Sequence, residues 1–407
     1  MNRNKWFFLI IAGTLWSAIL FGAGWLGRTA LTRIEAARSA TAAQNAPSSN
    51  LLLDEVWRHV QASFVGTVPS DTVRNYGEIR GALATLNDRW TVFVEPQPRA
   101  IERDHMRGQF GGIGVSIMLD SSGRILMDPQ KGSPTEKAGI QKNDMLIGID
   151  GMLLPDKADF NAAAAKIRGE PGTPVRLTVQ RGGQRLDITV IRATIDVPSV
   201  DYRIISPTHA GGPVIGYIAI HQFTERTGGE VKQAIIALRQ AGSQAFLMDL
   251  RDNGGGLLNA AVNVASRFLK DGVVLYEVKR NRADATFPVT KVTAVTAYTE
   301  PLAVLINGNT ASASEIVAGA IQDYKRGELI GEQSYGKGSV QSIYDLSDGS
   351  SVHITSAKWL TPNKRAIDGV GLTPDIVQKR AEGEASQNRD SQLDRAVAEL
   401  ARVTAAR

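Results

Sequence analysis

The sequence contains no cysteine among its 407 residues. Disulfide bonds, thiolate zinc sites and thiol nucleophiles are therefore excluded. The absence suits an oxidising compartment, although it does not establish one.

Histidine is also scarce, and the five histidines form no H-E-x-x-H motif and no close pair. We interpret each as a surface or core residue rather than a metal ligand. They are His59, His105, His209, His221 and His353.

The net charge is only +5, and no run of lysines or arginines is interleaved with aromatic residues. Such runs are typical of nucleic-acid binders. We therefore expect no nucleic-acid partner.

One long stretch, from Trp6 to Gly27, lacks charged residues entirely and could cross a bilayer as a helix. It either spans a membrane or is removed after export. Its apolar core is longer than that of an ordinary signal peptide, which favours an uncleaved anchor. Arg3 and Lys5 precede it and place the remaining chain outside the cytoplasm, in the periplasm or at the cell exterior.

After a polar, Ala/Ser-rich tether, the pattern of apolar residues changes twice along the chain. "LLLDEVWRHVQASF" and "YGEIRGALATLND" repeat them at helical spacing, whereas Gly111 to Arg192 alternates in short strands with one helix at "KADFNAAAAKIRG". Strands and helices then alternate, which predicts an α/β core. The strands are "VIGYIAI", "AFLMDL", "VVLYEVK" and "LAVLING", and the helices are "GGEVKQAIIALRQAG", "LLNAAVNVASRFLK" and "SEIVAGAIQDYK".

The segment "GEQSYGKGSVQ", residues 331–341, matches the phosphate-loop template G-x-x-x-x-G-K-[ST] except that Gly338 replaces the hydroxyl. A phosphate loop precedes a helix, but here "GKGSVQSIYDL" continues as a strand. We therefore reject a nucleotide site. In an extended chain Lys337 and Gln341 face the same side. A desolvated lysine there could serve as a base for a serine.

Three hydroxyls follow the buried strand Leu302 to Ile306, at the start of the next helix: Thr310, Ser312 and Ser314. Backbone N–H groups at a helix N-terminus lack acceptors and suit an oxyanion. The segment therefore predicts either a nucleophile beside an oxyanion hole or a plain helix cap.

Three consecutive glycines, Gly254 to Gly256, follow another buried strand, Phe246 to Leu250. Such a turn lets the backbone approach a ligand and can point N–H groups inward. A tight strand-to-helix turn is the alternative.

Together these motifs resemble a known enzyme family. "NGNTASASEIVAGAIQD" followed by "GEQSYGKGSVQ" resembles the active-site pair of the carboxyl-terminal processing proteases, also called tail-specific proteases, of peptidase family S41. The resemblance runs from about Leu51 to about Val377. The other segments that resemble the family are "VWRHVQASFV", "ALATLNDRWTVFVEP", the PDZ-like stretch "GGIGVSI…GSPTEKAGIQKNDMLIGIDGMLL…IRGEPGTPVRLTVQR", "DLRDNGGGLL" and "KWLTPNKRAIDGVGLTPDI".

The resemblance implies roles for individual residues. Ser312 becomes the nucleophile, Lys337 the general base and Gln341 the residue that orients the lysine. The oxyanion hole would combine the N–H groups of Ala313 and Gly255, which we choose over Gly256.

Three positions depart from the family pattern. Thr310 stands where serine is common, Gly254 where proline is common, and Lys364 where a glycine is expected. None belongs to the proposed dyad, so they weaken the oxyanion assignment more than the nucleophile.

The PDZ-like stretch implies a peptide site. The loop of Gly112, Ile113, Gly114 and Val115 would receive a terminal carboxylate, and the following strand would pair with the peptide. The alternative is a β-module that only supports the core. Arg168 would couple peptide binding to activity, or it is simply a solvated arginine at a helix end.

The implied fold is α/β, with a ClpP/crotonase-like catalytic core, an inserted mostly-β PDZ domain and an N-terminal helical region. The predicted bounds are 1–28 for the membrane anchor or signal segment, 29–50 for the linker, 51–96 for the helical region, 97–195 for the PDZ domain, 196–380 for the protease core and 381–407 for the C-terminal tail.

The implied function is a serine endopeptidase that recognises protein C-termini and cleaves substrates outside the cytoplasm. We expect no metal and no other cofactor. The expected partners are proteins with accessible apolar C-termini and, through the N-terminal segment, a membrane; an adaptor protein and a homo-oligomer stay open. Two alternatives are a catalytically silent PDZ scaffold and a hydratase-like enzyme on the same core, although the latter has no use for a PDZ module or an export segment.

Overall fold

The computed structural model describes residues 51–155, 157–206, 212–280, 283–291, 295–381, 383–384 and 389–406. The predicted membrane anchor and linker therefore lie outside the described residues. Within the described ranges, no helix combines the length and the apolar character needed to cross a membrane.

The chain divides into two compact units, residues 1–77 and 78–407. The first contains helix α1, Leu51–Ser63, and the start of helix α2, Asp71–Ala84. Both predicted N-terminal helices are confirmed. Helix α2 begins five residues before the predicted Tyr76, since Asp71 places an acidic side chain in the first turn, where the helix dipole favours it.

From Gln109 to Asp196 the second unit is mostly β, as predicted. Five antiparallel strands pair in the order β3-β4-β5-β7-β8, with β6 beside β5, while β2 pairs with β9. The strands are β2 (Gln109–Gly112), β3 (Val115–Leu119), β4 (Ile125–Pro129), β5 (Asp144–Ile149), β6 (Met152–Leu153), β7 (Pro174–Arg181), β8 (Gln184–Ile191) and β9 (Ala193–Asp196), and a short helix α4 spans Pro134–Lys137.

The single longer helix of this region, α5, spans Phe160–Ile167 and confirms the predicted one. It begins after Asp159, whose side chain accepts hydrogen bonds from the backbone of the first turn. The helix buries Ala163 and Ile167 against the sheet. Phe160 and Ala164 of the same helix line a groove beside β3.

The α/β core is built on a six-stranded sheet in the order β10-β11-β12-β15-β16-β19. Strand β10 is antiparallel to β11, and the other neighbours are parallel. The strands are β10 (Val200–Ile205), β11 (Ile215–Ile220), β12 (Ala245–Asp249), β15 (Leu302–Ile306), β16 (Glu328–Gly331) and β19 (Ile376–Val377).

Both faces of this sheet are covered, which explains why its central strands read as continuous apolar runs. On one face Phe246 and Met248 pack with helices α6 (Thr227–Gln240), α7 (Leu258–Phe268) and α8 (Ala313–Asp323). On the other face, alternate residues such as Leu247 pack against the C-terminal helix α9 (Ser391–Ala405). The predicted α/β architecture is confirmed.

A second sheet is antiparallel and is separate from the α/β sheet. It has the order β1-β18-β13-β14, with β17 also paired to β18. The segment "VVLYEVK" forms a strand as predicted, β13, but its assignment to the α/β core is wrong, because it pairs with β14 and β18 in this sheet. The sequence pattern did not reveal this pairing, since β18 is distant along the chain. Its strands are β1 (Val92–Val94), β13 (Val273–Val278), β14 (Ala285–Pro288), β17 (Ser339–Asp345) and β18 (Ser351–Leu360), and helix α3 (Pro96–Arg107) follows β1.

A clamp of charged groups holds helix α9 to the core. Arg251 forms two 2.8 Å hydrogen bonds with the carboxylate of Asp390 and a 2.6 Å bond with Asp249. The Arg251 side chain is only 11% exposed. Asp390 also accepts a hydrogen bond from Leu393 N at 3.0 Å and so caps the helix. The helix therefore depends on a residue of the turn that follows β12.

This clamp predicts a graded loss of stability. Asp390→Asn keeps a capping oxygen but loses the charge opposite Arg251, so the free energy of unfolding should fall by about 2 kcal/mol. Asp390→Ala should cost about 1 kcal/mol more, because the cap is also lost. Urea unfolding of the chain from Leu51 measures both. The exposed Asp394 is the control, and equal losses in Asp390→Asn and Asp394→Asn would contradict the clamp.

Candidate active site

The two turns singled out in the sequence lie side by side, because they follow strands β12 and β15, which are parallel neighbours. A cavity of about 490 Å³ opens at this edge of the sheet. Ser312, Lys337 and Gln341 all line it, together with residues 254–256. The structure thus brings the three predicted catalytic side chains to one cavity.

The structure separates the three hydroxyls that the sequence left open. Thr310 and Ser314 are fully buried, and their hydroxyls donate to backbone carbonyls, of Leu250 at 2.8 Å and Asn253 at 2.9 Å. Ser312 is the one of the three that lines the cavity. Of these candidates, only Ser312 is placed to meet a substrate.

Ser312 has an unusual backbone conformation, with φ of 58° and ψ of −117°. A non-glycine residue in this region is strained, and such strain is concentrated at functional sites. Ser312 immediately precedes helix α8. The next N–H group, of Ala313, makes no hydrogen bond among the described residues, which fits the predicted oxyanion donor.

Gly255 lies directly against this turn. With φ of 105°, a Cβ atom there would approach Ser312 Cβ to 2.8 Å and Ala313 N to 2.9 Å, so only glycine allows the approach. Its own N–H group, however, donates to Asn253 Oδ1 at 2.9 Å. Since the N–H of Gly256 makes no hydrogen bond among the described residues, Gly256 competes with Gly255 as the second oxyanion donor. That assignment stays a prediction.

Asn253 organises both turns, and our sequence reasoning missed it. It is fully buried. Its Nδ2 donates to Ile220 O at 2.7 Å, and its carbonyl accepts from Ala311 N at 3.0 Å as well as from Ser314 Oγ. The sequence feature that indicates such a role is an asparagine immediately before the glycine run, because its side-chain amide can donate and accept hydrogen bonds at once.

Glu315 is the second residue that the sequence analysis missed. Its carboxylate is fully buried and accepts four hydrogen bonds. Oε2 binds the backbone N–H groups of Ser312 at 2.8 Å and Lys337 at 2.9 Å. Oε1 binds Ser334 Oγ at 2.6 Å and Gly336 N at 2.7 Å. One side chain therefore joins the turn of the predicted nucleophile to the loop of the predicted base.

Lys337 precedes strand β17, which confirms the strand predicted after it. Burial lowers the pKa of Lys337, nearby Arg89 lowers it further, and Glu315 opposes the shift. The Lys337 ammonium lies 4.2 Å from the centroid of the Trp90 ring, and among the described residues no hydrogen bond joins it to Ser312. Both predicted catalytic side chains nevertheless line the same cavity.

No hydrogen bond joins Gln341 to Lys337 among the described residues. Its amide donates to Ser339 Oγ at 2.9 Å. A β-bulge between Val340 and Gln341 shifts the register with β18. The proposed orienting role of Gln341 stays a prediction.

The predicted peptide site is a groove of about 310 Å³ in the mostly-β region. Ile113, Gly114 and Val115 line it, while Gly112 is buried beneath the Phe110 ring. The N–H groups of Ile113 and Gly114 make no hydrogen bonds among the described residues, so they are available to a carboxylate. Arg168 borders the groove, with its guanidinium 4.6 Å from the Phe110 ring centroid.

Two regions of the chain match known protein families. Residues 214–378 match the model of peptidase family S41, and residues 111–191 match the PDZ domain. The matched segments lie within the predicted ranges 196–380 and 97–195, whose bounds stay predictions.

Individual relatives cover most of the chain. The carboxy-terminal-processing protease of Bartonella bacilliformis is 35% identical over 329 residues, covering 79% of this chain and 73% of that protein. The carboxyl-terminal-processing protease of Synechocystis sp. is 33% identical over 334 residues, covering 80% and 77%. A solved Bacteroides fragilis structure described as an S41 protease has a TM-score of 0.50 at 15% identity, covering 83% and 93%, and is similar in fold alone.

These matches define a serine-type peptidase that carries a PDZ domain. The chain belongs to the carboxyl-terminal processing proteases of peptidase family S41, as its motifs indicated.

The four bonds of Glu315 predict a large effect of one substitution. Glu315→Gln leaves an amide facing at least one N–H donor, so the free energy of unfolding should fall by about 3 kcal/mol and peptidase activity should fall with it. Urea unfolding and a peptidase assay measure the two effects.

Glu328 provides a matched control. Burial and the nearby Glu399 and Asp375 raise its pKa, and one of its buried oxygens lacks a hydrogen-bond partner among the described residues. Glu328→Gln should therefore leave stability unchanged or slightly higher. A Glu315→Gln variant that matched it would contradict the role given to Glu315.

Proposed function

We propose that the protein is an endopeptidase that cleaves substrates outside the cytoplasm, with Ser312 as nucleophile and Lys337 as general base. One observation carries the assignment of the dyad. Both side chains line the same cavity, while their backbone N–H groups bind the same buried carboxylate of Glu315.

The neutral amine of Lys337 would accept the proton of Ser312 Oγ as the oxygen attacks a peptide carbonyl. The resulting oxyanion would lie near the N–H of Ala313 and one N–H of residues 254–256. The protonated Lys337 then donates to the leaving amine, which leaves an acyl group on Ser312. Water, deprotonated by Lys337, hydrolyses this ester. The lowered pKa of Lys337 supports the first step, because it increases the fraction of neutral amine.

The reaction requires a local rearrangement. Lys337 must leave the Trp90 ring to reach Ser312. To orient the lysine, Gln341 must give up its hydrogen bond with Ser339 Oγ and form one with Lys337 instead. Because Glu315 holds the backbone of Lys337 and the pairing of β17 with β18 holds that of Gln341, we expect these changes to be rotations of the two side chains.

The PDZ groove supports the recognition of C-termini. A terminal carboxylate would bind the N–H groups of Ile113 and Gly114, and the last apolar side chain would pack near Phe160 and Ile167. Arg168 lines both this groove and an adjoining cavity of about 340 Å³, which shares His221 with the catalytic cavity. We therefore propose that Arg168 has a regulatory role between the two sites.

The test is cleavage of an unstructured reporter with an apolar C-terminus by the chain from Leu51. Ser312→Ala and Lys337→Ala should each lower kcat by more than about 10³-fold. Lys142→Ala, which removes an exposed lysine paired with Asp128, should not. EDTA should leave the parent rate unchanged. Activity that persists in Ser312→Ala would contradict the dyad.

The reporter's tail separates the enzyme from a silent PDZ scaffold. Amidation of the C-terminus should weaken cleavage, because the N–H groups of the groove lose their anion. A parent chain that binds the free tail without cleaving it would instead support the scaffold. An adaptor protein and a homo-oligomer remain hypotheses from the sequence, and adding envelope extract or varying enzyme concentration would show their effect on rate.

We also propose that residues 6–27 anchor the chain in a membrane and place the peptidase outside the cytoplasm. Support comes from the uncharged stretch and the preceding Arg3 and Lys5. Alkaline phosphatase fused to the C-terminus, which folds only outside the cytoplasm, should be active and sediment with membranes in a bacterial host. The same fusion without residues 6–27 should be inactive. An inactive full-length fusion that is well expressed would contradict the export.

A further inference from the structure

Two cationic side chains lie over the indole ring of Trp90. The Lys337 Nζ is 4.2 Å from its centroid, and the Arg89 guanidinium carbon is 4.6 Å from it. Tyr335 packs edge-on against the same indole with its centroid 6.3 Å away, and Arg89 also lies 5.5 Å from the Tyr335 ring. Arg89 therefore contacts two aromatic rings, one of which also holds the amine, and in the part of the chain that the structure describes it forms no ion pair.

The position of Trp90 is fixed by the turn that precedes strand β1. The Asp88 carboxylate accepts hydrogen bonds from Trp90 N at 3.2 Å and Thr91 Oγ1 at 2.6 Å. Thr91 Oγ1 in turn accepts from Thr355 N, on β18, at 3.1 Å. Trp90 is thus tied to the sheet that also contains β17, next to Lys337.

The backbone of Lys337 is equally fixed. Its N–H binds Glu315, and its carbonyl accepts from the indole N–H of Trp359 at 3.1 Å. Only the side chain is left to move between the Trp90 ring and Ser312. The ring attracts the amine only while it is charged, because a cation–π contact requires a cation.

Two effects therefore act on the lysine in opposite directions. The Trp90 ring and Glu315 favour the ammonium, whereas burial and Arg89 disfavour it. The other ionisable groups that line the cavity or flank Gly338 are Glu102, His221, His353 and the Lys358–Asp368 pair.

We propose that the Lys337 side chain packs against Trp90 in the absence of substrate. Arg89, which contacts the same ring, is then a positioning residue that favours release of the amine toward Ser312. The inference rests on the proposed function, in which Lys337 must be neutral to accept a proton. It adds to the site two residues from the N-terminal helical region, far from the dyad in sequence. Arg89 would act through Lys337 and would not touch the substrate.

The test is the pH profile of kcat/KM for Arg89→Gln. Without the neighbouring cation, Lys337 should deprotonate at higher pH, so the acid limb should move to higher pH while the alkaline plateau is retained. Below the limb the rate should fall about threefold. Arg89→Lys should restore the parent profile. Arg185→Gln, which removes an exposed arginine of β8, is the matched control and should not shift the limb.

A second readout does not depend on turnover. In Ser312→Ala protein, the reactivity of the Lys337 amine toward isotope-coded acetic anhydride is followed against pH by mass spectrometry. Its titration should move to higher pH in Arg89→Gln, and to lower pH in Trp90→Leu, where the ring no longer holds the ammonium. Urea unfolding checks that the variants are folded.

The two readouts separate the possible failures. If the parent chain shows no lysine-dependent proteolysis, the proposed function fails, while the labelling still tests the link between Arg89 and Lys337. Unmoved labelling and an unmoved acid limb in Arg89→Gln, with proteolysis intact, would overturn the inference alone. An equal shift in Arg185→Gln would also overturn it, since the effect would then be one of net charge.

Discussion

The buried carboxylate of Glu315 is the constraint on which the site depends. A carboxylate removed from water is costly unless hydrogen bonds replace those of the solvent. Glu315 has four such bonds, from Ser312 N, Ser334 Oγ, Gly336 N and Lys337 N. The turn after β15 and the loop before β17 cannot separate without exposing this charge to solvent or leaving it buried with too few hydrogen bonds. The distance between the two loops is therefore set before any substrate arrives.

A second set of contacts gives the glycine turn the same rigidity. Asn253 ties it to β11 and to the Ser312 turn, while Arg251 ties it to helix α9 through Asp390. Gly255 then lies against Ser312 at a distance that no side chain would permit. The backbone is thus fixed where we propose that an oxyanion forms, and the side chains of Lys337 and Gln341 are the parts left to adjust.

Much of this site could be predicted from the sequence, because its motifs are local. Apolar runs followed by "NGGG" and "NGNTASAS" specify parallel strands with turns at their carboxyl ends, and adjacent strands bring such turns together. Contacts between distant segments could not be predicted. Nothing local indicates that Trp90 reaches Lys337, or that β13 pairs with β18. The engagement of the Gly255 N–H by Asn253 depends on a side-chain rotamer, which no pattern specifies.

We propose that Ser312 and Lys337, whose backbone N–H groups both bind Glu315, form the reactive pair. The most direct measurement is a crystal structure of the chain from Leu51 with a peptide boronic acid in the cavity. We predict a covalent bond from boron to Ser312 Oγ and a boronate oxygen about 3 Å from Ala313 N and a glycine N–H of residues 254–256. Lys337 should have left Trp90 for hydrogen-bonding distance of Ser312, with all four bonds of Glu315 intact. An adduct on another hydroxyl, or a lysine still seated on Trp90 beside a Ser312 adduct, would contradict the claim.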